Sequence, residues 1–168
     1  MKPTLLLAAL LAVPLTSVPA HAHGDKKHAA AAPAAAEQTP WGIVGKRADA
    51  RRTITIDMTD AMRFTPDALT VQEGETVRLV VRNRGRMLHE MVIGTPLELA
   101  RHAAMMAKFP NMEHDEAYMV HVDPGKTGEI VWTFNRAGRF EFACLIAGHY
   151  EAGMRGTITV TPKQGVAK

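Results

Sequence analysis

From residue 51 onward, apolar and polar positions alternate along the chain. Ile54, Ile56 and Met58 alternate with Thr53, Thr55 and Asp57, and Val77, Leu79 and Val81 alternate with Arg78 and Arg82. Ile130, Trp132 and Phe134 share one face of a run, and Phe140, Phe142 and Cys144 share another. Gly156, Ile158 and Val160 alternate with Arg155, Thr157 and Thr159. Successive side chains of a strand point to opposite sides, so each run predicts a half-buried strand. Turn-forming clusters separate the runs: Glu73-Gly74-Glu75, Asn83-Arg84-Gly85, Asp123-Pro124-Gly125 and Asn135-Arg136-Ala137-Gly138. Short strands spaced this way predict an all-β antiparallel sandwich.

One segment leaves the period of two. Thr95-Pro96-Leu97-Glu98 has the form of a capping box with proline at the first helical position. Helix-compatible sequence continues to about Lys108, and Pro110 ends it. A short helical insertion over 96–108 is therefore expected within the sandwich.

The first 50 residues differ in composition. Lys2, the apolar run Leu5 to Val13 and Ala20-His21-Ala22 together form the pattern of a secretory signal over 1–22. The run falls short of the ~20 apolar residues that span a bilayer, so no membrane anchor is expected after cleavage. Val18-Pro19-Ala20 offers a second cleavage position. Residues 23–50, rich in alanine and carrying His23 and His28, have little apolar surface to bury and predict a flexible lead. The sandwich domain is then expected over 51–162, with a tail at 163–168. The formal net charge is +3, and cleavage would remove the charge of Lys2. A balance so small, with basic residues scattered except for Arg82, Arg84 and Arg86, argues against a nucleic-acid partner.

The single cysteine carries the chemistry. Exported proteins meet oxidising conditions in which cysteines pair, yet Cys144 has no partner in the chain. A metal-bound thiolate would be protected, and its neighbours supply donors: Cys144, His149 and Met154 are spaced C-x4-H-x4-M. Gly148 and Gly153 allow the connecting loop to turn sharply. Thiolate and thioether are soft donors and imidazole serves both oxidation states, so the set suits copper. A type 1 electron-transfer site needs a second histidine. His89 is the best candidate, at the start of an expected strand Leu88–Ile93 on the face of Met91 and Ile93. A structural zinc site fits poorly, because zinc is held by Cys, His and carboxylate ligands.

With these residues in view, 51–162 resembles the cupredoxins, a family of small Greek-key copper proteins, and among them the periplasmic copper-tolerance cupredoxins. The resemblance rests on Leu88-His89-Glu90, on the loop Gly148 to Met154, and on the Met- and His-bearing insertion. It implies that His89, Cys144, His149 and Met154 hold one type 1 copper, and that His149 lies near the surface where electrons pass to a redox partner. Many family members place Asn or Ser after the first histidine to pin the two ligand loops together; here Glu90 follows. Multicopper oxidases flank the cysteine with histidines, whereas Ala143 and Leu145 stand here, and a binuclear purple-copper site needs a second cysteine. A mononuclear centre in a monomeric periplasmic protein is expected.

His102, Met105, Met106, Met112 and His114 lie within the insertion and just after it. Methionines at helical spacing commonly fill cores. Such a density of thioethers and imidazoles also forms a candidate accessory copper site, as does His23 if it becomes the mature terminus. The expected function is copper tolerance, with copper bound and an electron accepted from Cu(I), possible enzymatic Cu(I) oxidation included. The alternatives are a mobile electron carrier between periplasmic redox proteins and a copper chaperone.

Overall fold

The structure is a computed structural model and describes residues 37–110, 112 and 115–163. The expected signal, His23, the lead up to residue 36, His114 and residues 164–168 of the tail lie outside the described residues.

The strands are β1 (Ile43–Val44), β2 (Arg52–Thr59), β3 (Arg63–Thr65), β4 (Ala68–Gln72), β5 (Glu75–Asn83), β6 (His89–Gly94), β7 (Met119–Val122), β8 (Thr127–Phe134), β9 (Gly138–Ala143) and β10 (Arg155–Thr161). Helix α1 (Pro96–Lys108) follows β6. They form two five-stranded sheets, ordered β1-β8-β5-β2-β3 and β4-β10-β9-β6-β7. Most neighbours are antiparallel, as the turn spacing suggests. The pairs β2–β5 and β4–β10 are parallel, because the chain crosses between sheets before each return.

The period of two becomes the core. Ile56, Met58, Val77, Leu79, Val81, Ile130, Trp132, Phe134, Phe142, Ile158 and Val160 are all buried in one cluster between the sheets. Arg82 on the outer face of β5 meets Asp57 of the adjacent β2 through two hydrogen bonds of 2.6 and 2.9 Å.

The sandwich begins before residue 51. β1 pairs with Thr133 and Trp132 of β8, and Trp41 is buried. The Trp41 ring stands edge-on to Tyr118 at 5.2 Å, and its carbonyl accepts the indole N–H of Trp132 at 3.1 Å. One large aromatic anchor thus binds the end of a segment whose alanine content predicted flexibility.

Helix α1 has the expected bounds and the expected capping box: the Thr95 side chain accepts the Glu98 N–H, and the Glu98 carboxylate accepts the Thr95 N–H. The helix closes a second apolar cluster of Val92, Leu99, Ala103, Met106, Met119, Ala143 and Leu145. That cover explains why β6 is buried at every position, where simple alternation would leave one face wet.

Candidate metal centre

Three segments meet at one end of the sandwich. The first is the loop after β9. Cys144, just past the strand, and Met154, just before β10, are joined by the Cys144 N–H to the Met154 carbonyl at 3.1 Å. Met154 N–H in turn donates to the His149 carbonyl at 3.0 Å, and His149 N–H to the Ile146 carbonyl at 2.9 Å. The turns depend on Gly148 at φ +87° and Gly153 at φ +90°, conformations that L side chains rarely adopt. The C-x4-H-x4-M spacing therefore folds into a closed loop whose ends are hydrogen-bonded to each other.

The second segment is the start of β6. His89 is fully buried, and its ring centroid lies 5.0 Å from that of His149. One donor atom each from His89, Cys144 and His149 lies within 4.8 Å of the others. His149 Nδ1 is 3.2 Å from Cys144 Sγ. Met154 is also fully buried, in the same cluster as Cys144 and Met91.

The third segment is a turn that sequence reasoning missed. Asp60, between β2 and β3, accepts the Arg86 N–H at 2.8 Å and the Met87 N–H at 3.3 Å, and its Oδ1 lies 3.1 Å from His89 Nε2. Asn83 adds to the same loop: its amide donates to the Met87 and Val122 carbonyls at 2.7 and 2.8 Å and accepts the Gly85 N–H at 2.8 Å. Asn83 was legible as a turn residue. Asp60 carried no signal, since it stands 29 positions before its histidine.

Glu90 answers the departure from the family pattern. Its N–H points at Cys144 Sγ across 3.4 Å, and its Oε1 accepts the Leu145 N–H at 2.7 Å. It therefore pins the two ligand-bearing segments together. Its other oxygen lies 2.8 Å from His121 Nε2, so a fully buried carboxylate is met by a partly exposed histidine.

The electrostatics match a site built for a soft cation. Burial pushes the Cys144 thiol up to about 12, against a weaker opposing hydrogen bond from the Glu90 amide. A thiolate there needs a cation beside it. Burial and neighbouring His89 hold His149 below the usual histidine range, which favours the neutral imidazole that ligates metals. Among the described residues His89 Nδ1, which is buried, has no hydrogen-bond partner, a costly arrangement unless the atom serves as a ligand. One sulfur and two imidazoles, with a buried thioether on the adjoining loop residue, fit copper.

The remaining sequence candidates divide. His102, Met105 and Met112 line a cleft of ≈ 490 Å³ with Trp41 and Tyr118 between α1 and the sheet. Met106 instead turns into the core against Ala143 and Leu145. His102 and Met105 thus face the cleft, while Met106 is buried beneath the helix. His23 and His114 lie outside the described residues.

A β-sandwich that gathers His, Cys and His beside a closed Cys–His–Met loop defines a site for a soft metal. The chain belongs to the plastocyanin/azurin family of copper-binding proteins, whose family model matches residues 50–161. It is 48% identical over 161 residues to the "copper-resistant cuproprotein CopI" of Rubrivivax gelatinosus, covering 95% of this chain and 96% of that protein. It is 36% identical over 151 residues to a protein of the same description from Pseudomonas aeruginosa, covering 73% of this chain and 83% of the relative. In fold it is similar to the auracyanin of Roseiflexus castenholzii, with TM-score 0.58 and 24% identity over 67% of this chain and 99% of that one.

Proposed function

We propose that this chain is an exported copper-tolerance cupredoxin. It holds one type 1 copper at His89, Cys144, His149 and Met154 and accepts an electron from Cu(I), the toxic substrate. The observation that carries this reading is the 48% identity over 95% of the chain to a copper-resistant cuproprotein. The donor set gathered at the end of the sandwich supports it.

Bound copper supplies one-electron exchange between Cu(I) and Cu(II). The residues of the chain supply the frame. Cys144 and Met154 are held by a backbone hydrogen bond between the ends of the loop that joins β9 and β10, so little has to rearrange when the charge changes. His149 is only partly buried and gives an edge through which an external acceptor can be reached. Cu(I) capture falls to His102, Met105 and Met112, whose thioethers favour the cuprous ion. Met106 of the same helix packs in one cluster with Ala143 and Leu145, the residues that flank Cys144. Export rests on the sequence of residues 1–22. Among the described residues, no helix is long and apolar enough to cross a membrane.

The test replaces Met105 and Met112 with leucine and measures Cu(I) oxidation and copper equivalents per chain. Both should fall while the visible spectrum of the type 1 centre persists. Unchanged values would remove the capture site from the reading. A mobile electron carrier is the second reading, favoured by the partly exposed edge of His149 beside the His–Cys–His donor set. Deleting the gene separates the two: copper sensitivity supports tolerance, whereas an electron-transport defect without copper sensitivity supports a carrier.

A further inference from the structure

His89 is fully buried and its two nitrogens meet different surroundings: Nε2 lies 3.1 Å from Asp60 Oδ1, and Nδ1 has no hydrogen-bond partner among the described residues. A neutral imidazole carries one N–H, and the carboxylate can only accept. Placing the hydrogen on Nε2 satisfies both atoms and leaves the lone pair on Nδ1. The opposite tautomer would bury an unpaired N–H and set a lone pair against a carboxylate.

Asp60 is itself fixed for this task. Its carboxylate takes the N–H groups of Arg86 and Met87, two residues of the loop that leads into His89. Those hydrogen bonds, that of Arg86 first, hold its carboxyl below the usual aspartate range. Gly85 leaves the room: a β-carbon there would collide with the Asp60 carboxylate and come within 3.1 Å of the Asp60 backbone nitrogen. The Asp60 turn and the 84–88 loop therefore interlock, and the ring of His89 closes the arrangement.

We propose that Asp60 is a positioning residue for the copper site: its carboxylate, hydrogen-bonded to His89 Nε2–H, fixes the ring and its tautomer so that Nδ1 is the ligand atom. The proposal rests on the copper reading for its consequence, since a carboxylate partner orients a ligating imidazole and raises its basicity. The ring geometry it invokes is a property of the metal-free chain. No step of electron or proton transfer is assigned to Asp60.

The experiment has two arms. In the first, the metal-free full chain is labelled with 15N at histidine, and long-range 1H–15N spectra read the tautomer of His89 in wild type, Asp60→Asn and Asp60→Glu. Wild type should show the Nε2–H form, Asp60→Asn a mixture or the Nδ1–H form, and Asp60→Glu a partial return. An Nδ1–H form in wild type, or the same tautomer in wild type and Asp60→Asn, overturns the proposal.

The second arm loads the three proteins with copper and compares affinity, visible and EPR spectra, and reduction potential. Asp60→Asn should bind copper roughly 10–100-fold more weakly. Its potential should move upward, because a negative charge that favours Cu(II) has been removed. An unchanged potential and affinity in a folded Asp60→Asn protein, with thermal unfolding as the control for folding, also overturn it. If wild type binds no copper with a type 1 spectrum, the functional reading fails, and the tautomer arm still decides the role of Asp60.

Discussion

The carboxylate of Glu90 accepts the N–H of Leu145 at 2.7 Å, one residue beyond Cys144. The peptide N–H of Glu90 faces the Cys144 sulfur at 3.4 Å. Strand β6 and the loop after β9 are thus joined by contacts from both the main chain and the side chain of one residue. In the family pattern this joint is expected from a small polar side chain; here a buried carboxylate makes it.

Removing that acceptor should be costly. Glu90→Ala leaves the Leu145 N–H buried without its partner, at a cost of about 1–3 kcal/mol. Glu90→Gln keeps an amide oxygen for the same N–H and should lose less. Chemical denaturation of the metal-free protein gives the comparison. Equal losses in the two variants would show that the charge, paired toward His121, matters more than the hydrogen bond to Leu145.

Copper loading should displace the proton of Cys144. With the thiol pushed up to about 12, the metal-free protein is protonated there at neutral pH. His149, held below the usual histidine range, has no proton to give at pH 8. Cu(I) binding should therefore release one proton from the thiol, and apparent affinity should rise about tenfold per pH unit above neutrality. Titration calorimetry in buffers of different ionisation enthalpy measures the release. Cys144→Ser should abolish it together with the type 1 spectrum.

The strands, the helix and the Cys–His–Met loop were legible because each depends on local pattern. Ile56 and Met58, Thr95 with Glu98, and Gly148 with Gly153 act over a few positions. What escaped depends on contacts distant in sequence. Asp60 reaches His89 only because β2 and the loop after β5 end at the same edge of the molecule. Met106 separates from Met105 because β6 and β9 supply an apolar surface for one side of α1 only. Trp41 was hidden for the opposite reason, since a single anchor cannot outweigh the composition of a whole segment.

The pair Asp57–Arg82 makes a pH-dependent contribution on the outer sheet. Hydrogen bonds from Arg82, helped by Arg84, hold the Asp57 carboxyl below its usual 3.8. A depressed carboxyl stabilises the fold above its unfolded value, and that stability is lost as pH falls through the folded value. The pair is largely solvent-screened, so Asp57→Asn should cost no more than about 1 kcal/mol at pH 7. The difference from wild type should shrink steadily once the pH drops below 3.8. Urea denaturation at pH 7 and at pH 3 tests the sign: a gap that widens in acid contradicts it.

Gly156 should not tolerate a methyl group. It lies opposite Phe142 in the β9–β10 ladder, and the aromatic ring covers it. A β-carbon at this position would collide with the ring and lie 2.6 Å from the Asp67 carbonyl oxygen, which is itself bonded to the Thr157 N–H at 2.8 Å. Neither neighbour is free to move. Phe142 is fully buried and stacked edge-on against Phe64 at 5.0 Å, and the carbonyl is fixed by the strand. Two effects oppose each other in Gly156→Ala. Restricting the unfolded chain favours alanine by about 0.4–1 kcal/mol. Overpacking disfavours it by about 1–3 kcal/mol. The second should win, because backbone is among the atoms that would clash, and the variant should unfold at lower urea. Strand β10 begins beside Met154, so the copper-loaded variant should also show a shifted type 1 spectrum. A variant as stable as wild type would mean that Phe142 can swing aside, which its packing against Phe64 opposes.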